Sequence, residues 1–252
     1  MKFHREKELL NLIKRAVDKR PSGKNLAVLD ADGTLWPEDA NHILLDYQIK
    51  KNKKKFQELL GIDYQTHRHK LCEVFVQKQS GLTLEQFKSK GREAFKQNPL
   101  HVFPFQRLLL DYLKKQNMKV AIVTASIQWL VELAVEIYHL PVDLVLGMKT
   151  ERDGKIITDK ILYPAPVGRH KAEVLLKYLP EESCFLAGGN TPTDQPLLEL
   201  ADLPFVVHSA NSKNVIFPAE KKLKQLALKK NWILFEKKRL ITRLNCLKNL
   251  IF

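Results

Sequence analysis

Three cysteines in 252 residues, Cys72, Cys184 and Cys246, are too few and too scattered for a disulfide framework. No two form a CxxC pair, and a zinc site would need more ligands than they offer. They read as reduced, mostly buried thiols of a cytoplasmic protein. No apolar run approaches the roughly 18–20 residues that span a bilayer. The opening Met1-Lys-Phe-His-Arg-Glu-Lys-Glu8 has no apolar centre of the kind a signal peptide carries. Internal repeats are absent, and lysine clusters are the one form of low complexity. The middle of the chain also lacks net charge. Of the total of +14, residues 1–24 carry +5 and residues 220–252 carry +8, which leaves +1 between them. A nucleic-acid enzyme would gather basic residues around its site, so nucleic acid is not the expected partner, although basic termini can contact RNA, DNA or an anionic membrane. The lysine run over 50–55 reads as a solvated helix face, and His67 and His69 as surface residues.

What is present is a strand–helix alternation. Apolar content of 44% and aromatic content of 8% are ordinary for a globular protein. The length suits one core with a sizeable insertion, or two small domains. Residues 5–19 read as an amphipathic helix, closed by Pro21-Ser-Gly23, and 25–29 as a buried strand. From Trp36 to about His101 the pattern is helical. Strands follow at 119–124, 143–147, 183–187, 204–207 and 232–235, with helices between them. Arg152-Asp-Gly-Lys155 marks a hairpin turn. The pattern predicts an α/β fold, a Rossmann-like mostly parallel sheet covered by helices on both faces. A small all-α cap is inserted after the first strand. The expected organisation is a core of 1–36 and 101–236, a cap of 37–100 and an extension of 237–252.

The chemistry concentrates where strands end. Asn25-Leu-Ala-Val-Leu-Asp30-Ala-Asp32-Gly33-Thr34 runs from a buried strand into two carboxylates, which on extended backbone point to the same side. Burying unpaired charge costs several kcal/mol. Converging carboxylates at a strand end therefore point to a metal, a nucleophile with an acid, or both, while Asp-Gly alone is also a common turn. Thr124 ends another apolar run before a helix, where it either holds an anion or caps the helix. Lys171 opens a helix after the 164–170 loop. Gly188-Gly189-Asn190-Thr-Pro-Thr-Asp194 follows a further strand, with glycines that allow close backbone approach and with two oxygen ligands.

In this order these residues resemble the haloacid dehalogenase superfamily, most closely its phosphoserine-phosphatase-like branch. Asp30-Ala-Asp32-Gly33-Thr34 matches the first family motif, Thr124 the second, Lys171 the third and Gly189-Asn190-Thr-Pro-Thr-Asp194 the fourth. The resemblance implies a phosphatase with Asp30 as nucleophile and Asp32 as acid and base. It implies phosphate binding by Gly33, Thr124 and Lys171, and a Mg²⁺ ion held by Asp30, Asp32, Asn190 and Asp194. Asn190 departs from the family's usual aspartate and brings no charge to the metal. Asp39 stands near the place of an acid that binds a substrate ammonium, which implies a small, amine-bearing substrate such as phosphoserine, phosphoethanolamine or phosphocholine. Equally, Glu38 and Asp39 suit the first turn of a helix. Trp36 either walls the pocket or packs. A phosphotransferase on the same scaffold and a weakly active anion-binding protein are the alternatives.

Beyond the resemblance, Leu240, Leu244, Leu247 and Ile251 recur at helical spacing among basic residues. Such a helix packs on the core, binds a partner, or lies on an anionic membrane.

Overall fold

The computed structural model describes residues 2–3, 5–62 and 64–236. The extension 237–252, with Cys246 and the amphipathic stripe, lies outside the described residues. At the centre is a seven-stranded sheet. Its strands are β1 (Lys2–Phe3), β2 (Leu26–Leu29), β3 (Lys119–Ile127), β4 (Leu144–Met148), β7 (Cys184–Gly189), β8 (Leu203–His208) and β9 (Ile233–Glu236). Their order is β1-β9-β8-β7-β2-β3-β4, and every pairing is parallel. Leu26-Ala-Val-Leu29 is buried throughout, as a central parallel strand must be.

Side-chain alternation sorts the core into two layers. Ala27, Leu29, Val120 and Ile122 pack with α1 (Glu6–Asp18), α6 (Pro104–Lys115) and α7 (Gln128–Ile137). Leu26, Val28, Ala121 and Val123 pack with α8 (His170–Tyr178), α9 (Gln195–Leu200) and α10 (Phe217–Lys229). The fold is therefore the expected α/β, Rossmann-like sheet with helices on both faces. From β2 the chain winds outward through β3 and β4, then returns to β7 on the other side of β2. The direction of winding reverses there, which opens a crevice beyond the carboxyl ends of these strands.

Between β2 and α6 stand α2 (Ala40–Lys51), a 3-10 turn (Lys53–Phe56), α3 (Gln57–Leu60), α4 (Tyr64–Gln77) and α5 (Leu84–Gln97). Their buried faces are continuous with the first layer. Phe87 of α5 meets Trp129 of α7 edge-on, with centroids 5.9 Å apart. The hairpin of β5 (Thr150–Asp153) and β6 (Ile156–Ile161) reaches up to the α4–α5 turn. There Gly81 N donates to Ile157 O and Ile157 N to Leu82 O, both at 2.9 Å. Gln77 Nε2 adds a bond to Asp159 O at 3.0 Å.

Two elements differ from the sequence reading. β1 is a two-residue edge strand too short to leave a pattern. β3 runs on to Ile127 instead of ending at Thr124, because its register against β4 shifts between Val123 and Ile127 and the chain stays extended through that irregularity. Thr124 is thus not a helix cap. Its Oγ1 accepts from Ser126 N at 3.1 Å within the strand.

Candidate active site

Asp30 leaves β2 with its N–H bonded to Gly188 O at 2.9 Å, and its carboxylate is buried in the crevice. Lys171, in the first turn of α8 and 1% exposed, reaches in from the far side. Its Nζ lies 2.6 Å from Asp30 Oδ1 and 2.5 Å from Asp194 Oδ1. One ammonium thus serves two carboxylates. Burial first, then the charge of Asp194, hold Asp30 up at about 7 even against Lys171. Burial opposes the charge on Lys171 as well, but Asp194 and Asp30 outweigh it and hold the ammonium above the ordinary lysine value.

Asp32 is fixed from both sides of the crevice. Its Oδ1 accepts from Trp36 Nε1 at 2.7 Å and from Ala40 N, at the start of α2, at 3.0 Å. Its Oδ2 accepts from Ser126 Oγ at 2.5 Å. These donors favour the anion, but burial and the neighbouring Asp39 hold the carboxyl up at about 6. The sequence reading did not single out Ser126. Its position two residues along the strand from Thr124 is the signal, because both then face the same side. Of the two readings of Trp36, the structure shows the packed one. The indole is fully buried and shows no face to the crevice; it orients Asp32 instead.

Gly33 turns the chain with φ +78°, and a Cβ there would lie 1.8 Å from Asn190 Nδ2. Only glycine allows that approach. Asp194 has no open oxygen. Besides Lys171 on Oδ1, its Oδ2 accepts from Asn190 N at 3.0 Å and Thr191 N at 2.9 Å. It shapes the 189–194 loop and holds Lys171.

Asp30, Asp32, Thr124, Ser126 and Lys171 line a cavity of about 220 Å³, over which α4 places His69 and Cys72. His69 is therefore part of the site's surroundings, not merely a surface residue. Asp39 does not line this cavity. Its Oδ1 accepts from His42 N at 3.0 Å, capping α2, and it faces a second cavity of about 440 Å³ across Asp32. Glu38 ties to the other end of the helical segment, its carboxylate accepting from His101 N at 3.0 Å.

The model for haloacid dehalogenase-like hydrolases matches residues 27–199, which takes in the whole of this constellation. The chain belongs to that family. No curated protein sequence matches it. Among solved structures it is similar to a protein of unknown function from Bordetella pertussis Tohama I, at 14% identity over 85% of this chain and 99% of that one, with a TM-score of 0.69. It is also similar to phosphoserine phosphatase in its apo form, at 16% identity over 88% of this chain and 98% of that one, with a TM-score of 0.56. A phospho-aspartyl intermediate analogue of phosphoserine phosphatase matches at 18% identity over 90% and 100%, with a TM-score of 0.56. At these identities the likeness is one of fold.

Among the described residues no group of three or more His, Cys, Asp and Glu side chains is arranged to hold a metal ion. The oxygens that would hold a Mg²⁺ ion here are those of the Asp30 carboxylate, the Asp32 backbone carbonyl and the Asn190 amide. All are hard oxygens suited to Mg²⁺. The described helices include none long and apolar enough to cross a membrane.

Proposed function

We propose that the protein is a Mg²⁺-dependent phosphomonoesterase that works through an aspartyl-phosphate on Asp30. The observation that carries this reading is the placing of Asp30 and Asp32 at one cavity, the first against Lys171 and the second held by three donors. A phosphomonoester is an anion, so a carboxylate nucleophile meets it only where charge is offset. Lys171 supplies part of that offset at the Asp30 and phosphoryl oxygens. Thr124 and the backbone N–H groups around Gly33 bind the remaining oxygens. Bound Mg²⁺, held by Asp30, Asp32 and Asn190, would supply the rest of the neutralisation. Asp32, kept partly protonated near neutral pH, gives its proton to the leaving alkoxide and then takes one from the attacking water. Most of the acceleration comes from this preorganised electrostatics.

The cavity of about 220 Å³ favours a small leaving group, one that passes under His69 and Cys72. Its acidic lining residues are Asp30 and Asp32. The amine-bearing substrates phosphoserine, phosphoethanolamine and phosphocholine fit this reading if the ammonium reaches Asp39 across Asp32. The test is hydrolysis of an aryl phosphate by wild type and Asp30→Asn, with and without Mg²⁺. Turnover that needs both Mg²⁺ and Asp30 is expected. Turnover that survives Asp30→Asn would remove the nucleophile from the proposal.

A further inference from the structure

We infer that Glu220 sets which way the Asn190 amide faces, and so makes residue 190 a ligand for a cation. The inference rests on the Mg²⁺ reading above and concerns how this chain achieves it without an acid at position 190. Glu220, in the first turn of α10, is 1% exposed and lies away from the nucleophile. Its Oε2 accepts from Ser209 N at 3.0 Å, Ala210 N at 2.9 Å and His208 Nδ1 at 3.1 Å. Its Oε1 accepts from Asn190 Nδ2 at 3.1 Å. A carboxylate only accepts, so the amide must turn its NH₂ toward Glu220. The same NH₂ is packed against Gly33, where a Cβ would sit 1.8 Å away.

That double constraint leaves Oδ1 as the other edge of a side chain 2% exposed, which lines the cavity of about 440 Å³ together with Asp32 and Gly33. Among the described residues no donor reaches Oδ1. A carbonyl oxygen held without a donor, on a side chain that shares a cavity with Asp32, is the kind of ligand a divalent cation takes. An amide free to turn over would leave the cation to orient it at the expense of its own binding. The buried carboxylate removes this alternative and keeps its own charge one residue away from the ion.

Glu220→Gln tests this without emptying the pocket. The glutamine oxygen retains the three donors from His208, Ser209 and Ala210, and its NH₂ now faces Asn190. Asn190 must then offer Oδ1 to Gln and turn its NH₂ into the crevice. Mg²⁺ binding by the full-length protein, followed by calorimetry, should weaken by about tenfold to a hundredfold. The thermal midpoint should stay close to that of wild type. Asn190→Asp alone sets two carboxylates face to face at the Glu220 contact and should weaken folding. The double variant Asn190→Asp/Glu220→Gln restores one acceptor facing one donor, with an oxygen left for the ion, and should bind Mg²⁺ at least as well as wild type. Unchanged affinity in Glu220→Gln overturns the inference. So does a weakened affinity that the double variant fails to restore, because Glu220 would then be structural only. Wild type that binds no Mg²⁺ at millimolar concentration removes the cation reading itself, and the inference with it.

Discussion

At the scale of single residues, the site depends on groups that hold Asp32 and Asn190 in place. Ser126 is the donor to Asp32 that comes from β3, independent of the α2 side. Ser126→Ala leaves Asp32 with Trp36 and Ala40 on one oxygen and nothing from the strand on the other. The carboxylate then loses one of two restraints, and turnover of an aryl phosphate should fall by roughly tenfold to a hundredfold, in line with the loss of a group that aligns a catalytic one. Ser126→Thr, which keeps the hydroxyl, should recover most of it. Equal rates for wild type and Ser126→Ala would show that the bond does no catalytic work. Gly33→Ala is harsher. It forces a left-handed φ on a residue with a Cβ and drives that carbon into the Asn190 amide. A stability loss of about 1–3 kcal/mol is expected from the backbone strain alone. Denaturant titration measures it, and Mg²⁺ affinity should fall in parallel because Asn190 has to move.

At the scale of elements, the α4–α5 turn is strapped to the hairpin by two backbone bonds, with Ile157 fully buried between them. Ile157→Ala removes buried methyl and methylene groups and should destabilise by about 2–4 kcal/mol. Hydrogen exchange locates the loss. Amides of α4, α5 and β6 should exchange faster while β2 and β7 keep their protection. Uniform loss across the sheet would mean the helical segment and the core unfold as one.

Elements also explain what could be read in advance. Parallel strands write themselves into the sequence as apolar runs, so β2, β4, β7, β8 and β9 were legible within a residue or two, as was the Arg152 to Lys155 turn. β1 was not, because two residues carry no period. Lys171, Asn190 and Asp194 stood at helix or strand ends, and Thr124 at the end of an apolar run that the strand itself outlasts, so all four could be named as candidates. Glu220 could not. In sequence it is one acid on an amphipathic helix, and only the return of α10 to the sheet brings it to Asn190. Trp36 was legible as an aromatic near the site, but whether its ring or its N–H faced Asp32 depended on how the chain turns after Gly33. His69 belongs to the same class, since the placing of α4 over the crevice is a matter of tertiary packing.

At the scale of the whole molecule, the buried carboxylates make stability depend on pH in a direction opposite to that of most salt-bridged proteins. Asp30 sits at about 7 and Asp32 at about 6, against 3.8 for an ordinary aspartyl side chain. Both pKa values are raised, so the folded protein binds protons that the unfolded chain has already released. Between pH 4 and 7 the native state therefore holds more protons, and its stability falls as pH rises. The metal-free protein should show a declining thermal midpoint across that window. Asp30→Asn removes the group with the larger rise and leaves Lys171 paired with Asp194. In the presence of a chelator at neutral pH this variant should melt higher than wild type, by roughly 5 °C given that 1 kcal/mol moves a chain of this size by about 2–4 °C. Near pH 3, below the ordinary aspartyl value, Asp30 is protonated in both folded and unfolded wild type, and the two should converge. Added Mg²⁺ should raise the wild-type midpoint at neutral pH and narrow or reverse the gap, since an ion that stabilises the Asp30 anion stabilises only a protein that has it. A metal-free wild type that instead gains stability from pH 5 to pH 7, with Asp30→Asn melting lower throughout, would show that Lys171 already balances the site without an ion.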